Sequence, residues 1–322
     1  MLALFQQLSS FAPPRQSLKQ APWDAYVPWA IGNGLAPLAA YNLEYRLAGA
    51  DAPEWARDRL LSVYQGALSD NVMKLVNFKR SVSALEGRRV LLLGAASFVE
   101  VLYPHVGFRP VADIELLLAP GDVEGFANFM GQNHFRFDAK LASALSATAA
   151  VSDGRTAVAL NSGLLGKGRE KAERDIFERA LPAPVYGSSF FRPDLEDALL
   201  LACLDAARRG FEIPFVAYID IRELVKGALS LGGVYARPQN ASVLKTRARA
   251  CRLERATFVA LAITSRLFPE LRDVIESLSP SLPRATRAVL ERAIVDPVSK
   301  LGQMRLAKGM GRLRQVLTGT RA

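Results

Sequence analysis

The sequence predicts an α+β fold, a mixed β-sheet core flanked by helical regions at its N-terminal and C-terminal sides. Three observations carry this expectation. Residues 23–85 repeat apolar side chains at helical spacing, residues 87–188 break into short apolar runs separated by glycine-marked turns, and helical spacing returns from Phe191 onward. With 322 residues the chain is long enough for two or three modules around substantial cores. The expected segments are 1–86, 87–188 and 189–322, the last ending in a basic region.

In the first segment, "RLLSVYQGALSDNVMKLVNFKRSVSAL" sets Leu61, Tyr64, Leu68, Val72, Leu75 and Val82 near one helix face. "APEW" before it marks a break from the preceding helix. In the second segment, Val90–Leu93 is an apolar run too short for a helix and bounded by Gly94, which predicts strand, tight turn, then a helix from about Ser97 to Tyr103. "VADIELLL" predicts a second strand. "GDVEGFANFMGQNH" predicts a short helix with Asp122 as its N-cap and Gly131 or Asn133 near its end. "FRFD" predicts a third strand, and "SALSATAAV", "SDGR" and "TAVALNSGLL" a hairpin turning on Asp-Gly. In the third segment, Asp194 caps a helix that Gly210 ends, and "PFVAYIDIRELVKGALSLGG" repeats the same start and stop signals.

The charge is uneven. Between Arg237 and Ala322 there are 17 Lys and Arg against 6 Asp and Glu, so that quarter holds essentially all of the net charge of +10. This fits an anionic partner, and equally an arginine-rich solvated helix surface. No apolar run approaches a membrane span, and "MLALFQQLSSFAPPRQ" lacks the basic start and apolar core of a signal peptide. Two cysteines, Cys203 and Cys251, provide neither a disulfide framework nor a cysteine metal site. The expectation is a cytoplasmic protein.

The residues that carry chemistry lie in "GFRPVADIELLLAP" (107–120). On a strand, Asp113 and Glu115 share a face, opposite Ile114 and Leu116, which are left to enter a core. Two carboxylates so placed suit a hard cation, Mg²⁺ or Mn²⁺, of the kind that accompanies a triphosphate. The alternative is a solvated strand face. Just upstream, "LLLGAAS" offers Gly94, Ala95, Ala96 and Ser97 as a small-residue turn into a helix start, where phosphate is favoured. Arg109 carries the fork of donors that suits a phosphate oxygen. His105 and His134 fit surface or capping roles, and no Ser-His-Asp or Cys-His arrangement is available.

Taken in order, these motifs resemble the uncharacterised nucleotidyltransferase family of the polymerase-β-like superfamily. "SDNVMKLVNF" is similar to that family's Asn-containing helix, "RPVADIELLL" to its R-x-x-x-D-I-D-L-L-V, and "LEDALLLACLDAARRG…YIDIRELV" to its later helical segment. The resemblance covers about residues 23–230. It implies a nucleotidyltransferase-like fold and transfer of NMP from an NTP to an unidentified acceptor hydroxyl. In that scheme Asp113 and Glu115 are the catalytic and metal-binding acids, and Gly94, Ala95, Ala96, Ser97 and Arg109 bind the nucleotide. The departures are specific. Leu93 stands where the family has Lys, Glu115 where it has Asp, Ala159 where it has a third acid, Asn161 where it has His, and Asp205 where a later helix often has His. Two alternatives follow: a degenerate fold that binds a nucleotide or partner without turnover, and a basic nucleic-acid-associated protein.

Overall fold

The computed structural model describes residues 2–13, 17–47, 51–99, 101–227, 235 and 237–294. The basic tail "KLGQMRLAKGMGRLRQVLTGTRA" and its apolar stripe lie outside the described residues. The elements run α1 (Leu2–Leu8), α2 (Trp23–Gly32), α3 (Ala36–Tyr41), α4 (Glu54–Ser81), β1 (Val90–Leu93), α5 (Gly94–Phe98), β2 (Ile114–Leu118), α6 (Asp122–Gln132), β3 (Arg136–Phe137), α7 (Ala139–Leu145), β4 (Ala149–Ser152) and β5 (Ala157–Asn161). There follow α8 (Glu170–Arg179), β6 (Leu181–Pro182), β7 (Phe190–Arg192), α9 (Leu195–Arg208), α10 (Phe215–Lys226), α11 (Ala241–Ala250), α12 (Glu254–Leu267), α13 (Arg272–Leu278) and α14 (Arg284–Ala293). Among the described residues no helix is long and apolar enough to cross a membrane.

The chain divides into two compact units, residues 67–198 and residues 1–66 with 199–322. The first holds a seven-stranded mixed sheet in the order β3-β4-β5-β2-β1-β7-β6. Strands β2 and β5 run parallel, as do β1 and β7, and the remaining neighbours are antiparallel. The predicted α+β fold with a mixed sheet is the fold observed. Alternation decides which residues go where. Val90, Leu92, Ile114, Leu116, Leu118, Val158 and Leu160 point to one face and form a core with Phe78 of α4, Val82 just after it, and Phe126 and Met130 of α6. Glu115 therefore stands on the opposite face, as the D-x-E spacing requires.

Several local expectations shift. Helix α6 is capped by Gly121 at φ +90°, and Asp122 is its first helical residue, not its cap. Helix α5 begins at Gly94, three residues earlier than the spacing implied, because the strand turns straight into it. The first arm of the hairpin is shorter: Ser143–Leu145 belong to α7, whose start Asp138 caps by accepting from Leu141 N at 2.9 Å. Strand β7 lies beyond residue 188 and adds to the sheet beside β1. The cap at Asp194 does form, accepting from Asp197 N at 3.0 Å.

The second unit is helical. Phe5 meets Trp29, Phe215 and Phe268 at ring separations of 5.5–5.7 Å. Arg222 of α10 is buried beside them, with Nε 2.6 Å from Glu223 Oε1, Nη2 donating to Ser9 O at 2.7 Å, and the guanidinium 4.7 Å over the Phe268 ring.

Candidate nucleotide site

Asp113 immediately precedes β2 and Glu115 is its second residue, both half-buried. The Asp113 Oδ2 atom is shielded from solvent. Glu115 is paired with Leu93, the residue before the small-residue turn. That pairing lays its carboxylate on Gly94: a β-carbon there would stand 3.4 Å from Oε1 and 3.7 Å from Oε2. Gly94 also sits at φ +53°, a left-handed conformation that a side chain disfavours. The turn and the second acid are thus one structural unit.

The other turn residues are disposed differently. Ala95 is half-buried, but Ala96 lies in the hydrophobic core. Ser97 is buried and turns its hydroxyl back to Gly94 O at 3.0 Å, bracing the turn. Arg109 is half-buried and its Nη1 donates to Pro110 O at 2.8 Å. His105 Nδ1 accepts from Gly107 N at 3.2 Å, a local capping contact.

Strand β5 lies on the far side of β2 from β1. In its parallel register Glu115 is level with Ala159 and Leu117 with Asn161. Ala159 is in turn level with Ala150 on β4. Methyl groups therefore fill the places beside Glu115 where a third carboxylate would complete the set. Asp153 does not supply it. It sits in the β4–β5 turn, where Oδ1 accepts from Arg155 N and Thr156 N, and Oδ2 from Asn77 Nδ2 of α4. Among the described residues no group of three or more His, Cys, Asp or Glu is arranged to hold a metal ion. Asp113 just before β2 and Glu115 on it offer carboxylate oxygens, the donor type taken by Mg²⁺ or Mn²⁺, which keep several waters and bind substrate phosphates beside one or two carboxylates.

One contribution to the site was not legible in the apolar pattern. Helical spacing placed Val72 on the buried face of α4, yet Val72 is 43 % exposed and Asn71 only 1 %. Asn71 Nδ2 donates to Val106 O (2.6 Å) and Arg109 O (2.8 Å), while its Oδ1 accepts from Val111 N at 2.9 Å. One turn on, Lys74 Nζ donates to Val111 O (2.9 Å) and Ala112 O (3.3 Å) and pairs with Asp70 at 2.7 Å. A loop whose peptide groups need partners outbids a valine for the inward position.

A family model described as "Uncharacterised nucleotidyltransferase" matches residues 19–269, more than half of the chain. The chain belongs to this family. Neither the curated proteins nor the solved structures compared with it include a match. Membership in the uncharacterised nucleotidyltransferase family gives the chain a nucleotidyltransferase-like function in general terms.

Two cavities in the sheet unit lie away from Asp113 and Glu115. One, of about 490 Å³, lies beyond the C-terminal ends of β2 and β5 and is lined by Pro120, Gly166, Lys167, Arg174 and Phe177 among others. The other, of about 770 Å³, runs between α6 and Phe137 of β3. At the first, the loop after β5 carries Gly163, Gly166 and Gly168 in left-handed conformations. Its amides at Gly163 and Leu165 donate to the buried Glu173 carboxylate at 2.9 and 3.0 Å, and Gly168 N to Glu170 Oε1 at 2.9 Å. The chain's own acids occupy the amides a phosphate would need.

Proposed function

We propose that this chain binds a nucleoside triphosphate with a divalent cation at Asp113 and Glu115, and that its capacity to transfer NMP is attenuated. The observation that carries this reading is the β2–β5 register, which sets Ala159 level with Glu115. In phosphoryl-transfer sites a third acid positions or deprotonates the attacking hydroxyl. A methyl group does neither. Binding needs less: two carboxylate oxygens, phosphate oxygens and water complete an octahedral shell around Mg²⁺ or Mn²⁺. A bound cation supplies charge neutralisation between the triphosphate and the two acids.

The roles of the remaining residues follow from their positions. Glu115 lies against Gly94, which sets the turn Gly94–Ser97 beside a triphosphate held there, with Ser97 bracing it from within. Arg109 supplies a cation four residues from Asp113. The acceptor is a hydroxyl-bearing molecule of a kind the site residues do not select.

A thermal shift with each of the four NTPs plus Mg²⁺, on wild type and Asp113→Ala, tests the binding half. A wild-type shift that disappears in Asp113→Ala supports it; no shift with any NTP sinks it. Incubation of wild type with labelled NTPs and lysate tests the other half, since rapid labelling of an acceptor or release of pyrophosphate contradicts attenuation.

A second reading, an anionic partner at the basic C-terminal region, rests on α11, which carries Lys245, Arg247 and Arg249 with no acidic residue. Steeply salt-dependent RNA binding that survives Asp113→Ala is its signature.

A further inference from the structure

We propose that Asn71 is a positioning residue for the acid pair, setting the nucleotide affinity of the site through the loop that leads into β2. The inference rests on the reading of Asp113 and Glu115 as the nucleotide site. It starts from an imbalance in what α4 does with its polar side chains. Two asparagines, Asn71 and Asn77, stand six residues apart on one helix, and each fastens a different loop at the same end of the sheet. Asn77 holds the β4–β5 turn through Asp153 and Thr156. Asn71 holds the segment 106–111, which ends two residues before Asp113.

The geometry at Asn71 is that of a template. An amide side chain has two donors and one acceptor oxygen, and here both kinds are engaged with main-chain groups spread over six residues of loop. Two carbonyls and one N–H are thereby fixed relative to α4. Lys74 adds a clamp on the carbonyls of Val111 and Ala112, the second of which belongs to the peptide bond that joins Ala112 to Asp113. With Val111 and Ile114 buried in the core, Asp113 is held from both sides. Its direction relative to Glu115 is therefore set by α4 as well as by the strand. A loop lacking these partners keeps the strand pairing of Ile114–Leu118 but frees the residue just outside it. Carboxylates that share a cation tolerate little such freedom, because small displacements separate the donors.

The test compares Asn71→Ala and Asn71→Asp with Asn77→Ala. Asn71→Asp retains an acceptor for Val111 N but turns an oxygen toward two carbonyls, so it keeps the shape and loses the clasp. Affinity is measured by calorimetry for the Mg²⁺–NTP that shifts wild type, and loop protection by hydrogen exchange over residues 106–113. Both Asn71 variants are expected to bind at least about tenfold more weakly and to exchange faster in that segment. Asn77→Ala is expected to lose thermal stability while holding affinity within about twofold. Equal weakening in Asn77→Ala, or unchanged affinity in a folded Asn71→Asp, overturns the positioning role while leaving the acid-pair reading standing. Wild type that binds no Mg²⁺–NTP, or binds it equally after Asp113→Ala, overturns both.

Discussion

Glu115 and Ala159 are level with each other on parallel strands, with Ala150 next in line on β4. The position beside the second acid is thus built into the sheet, and it carries a methyl group in place of a carboxylate. Ala159→Asp is expected to restore what the register implies. Without cation, the new carboxylate lies near Glu115 at a position only 2 % exposed, and melting should fall by several degrees, since an unpaired buried charge costs about 3 kcal/mol or more. With Mg²⁺ and NTP the loss should shrink, and labelled-NTP assays should show transfer raised by about a hundredfold, the low end of a positioned base. A variant that melts low and stays low with Mg²⁺–NTP argues that the two acids never shared a cation.

Gly94 makes a separate demand. Its φ of +53° makes alanine unfavourable by about 1–2 kcal/mol, and the added methyl would meet the Glu115 carboxylate at 3.4 Å. Gly154 is the natural control, with φ +90° and nothing within 4 Å of a β-carbon. Urea unfolding should show Gly94→Ala and Gly154→Ala losing comparable stability. Only Gly94→Ala should weaken nucleotide binding. Equal binding in the two variants removes the turn from the site.

Much of this architecture was legible in the sequence for identifiable reasons. Short apolar runs bounded by Gly94 and by Asp153-Gly154 announced strands, and the D-x-E period put Ile114 and Leu116 in the core with Glu115 opposite. What the pattern missed was either short or polar. Helix α8 has only Ala172, Glu173 and Ile176 buried, too few apolar positions to announce a face. Strands β6 and β7, two and three residues long, are too short for alternation to register. Periodicity counts apolar residues and so favours Val72 on the inner face of α4, whereas Asn71 is buried instead because the loop it fastens requires hydrogen bonds. The family resemblance sets Ala159 and Asn161 against the family's acid and histidine, and the fold adds that Ala159 is level with Glu115.

Asp153 supplies a pH dependence. Burial raises its pKa, but the bonds from Thr156 N, Arg155 N and the Asn77 amide outweigh that and hold the carboxyl below the ordinary aspartate value. A depressed folded pKa stabilises the fold above the unfolded value of about 3.9, and the contribution is lost as pH falls through the lower folded value. The stability gap between wild type and Asp153→Asn should therefore be full at neutral pH and close in strong acid. Urea titrations at pH 7, 5 and 3 read this directly. A gap that widens on acidification contradicts the assignment.

The last prediction concerns the helical unit, where Arg222 and Glu223 form a buried pair with side chains 2 % and 5 % exposed. Arg222→Met removes the guanidinium from Glu223, from Ser9 O and from the face of Phe268, and leaves a carboxylate in the interior. Lys226 Nζ, 3.7 Å from Glu223 Oε1, offsets part of that charge from its more exposed position. The single change should cost about 3–5 kcal/mol, the range for breaking a buried pair from one side. Adding Glu223→Gln removes the stranded charge, and the double variant should recover a good part of the loss, because a buried pair replaced as a whole is often close to neutral. Equilibrium unfolding of the two singles and the double gives the coupling energy. Strict additivity would mean that the two side chains stabilise the unit independently, with Arg222 acting through Ser9, Phe11 and Phe268.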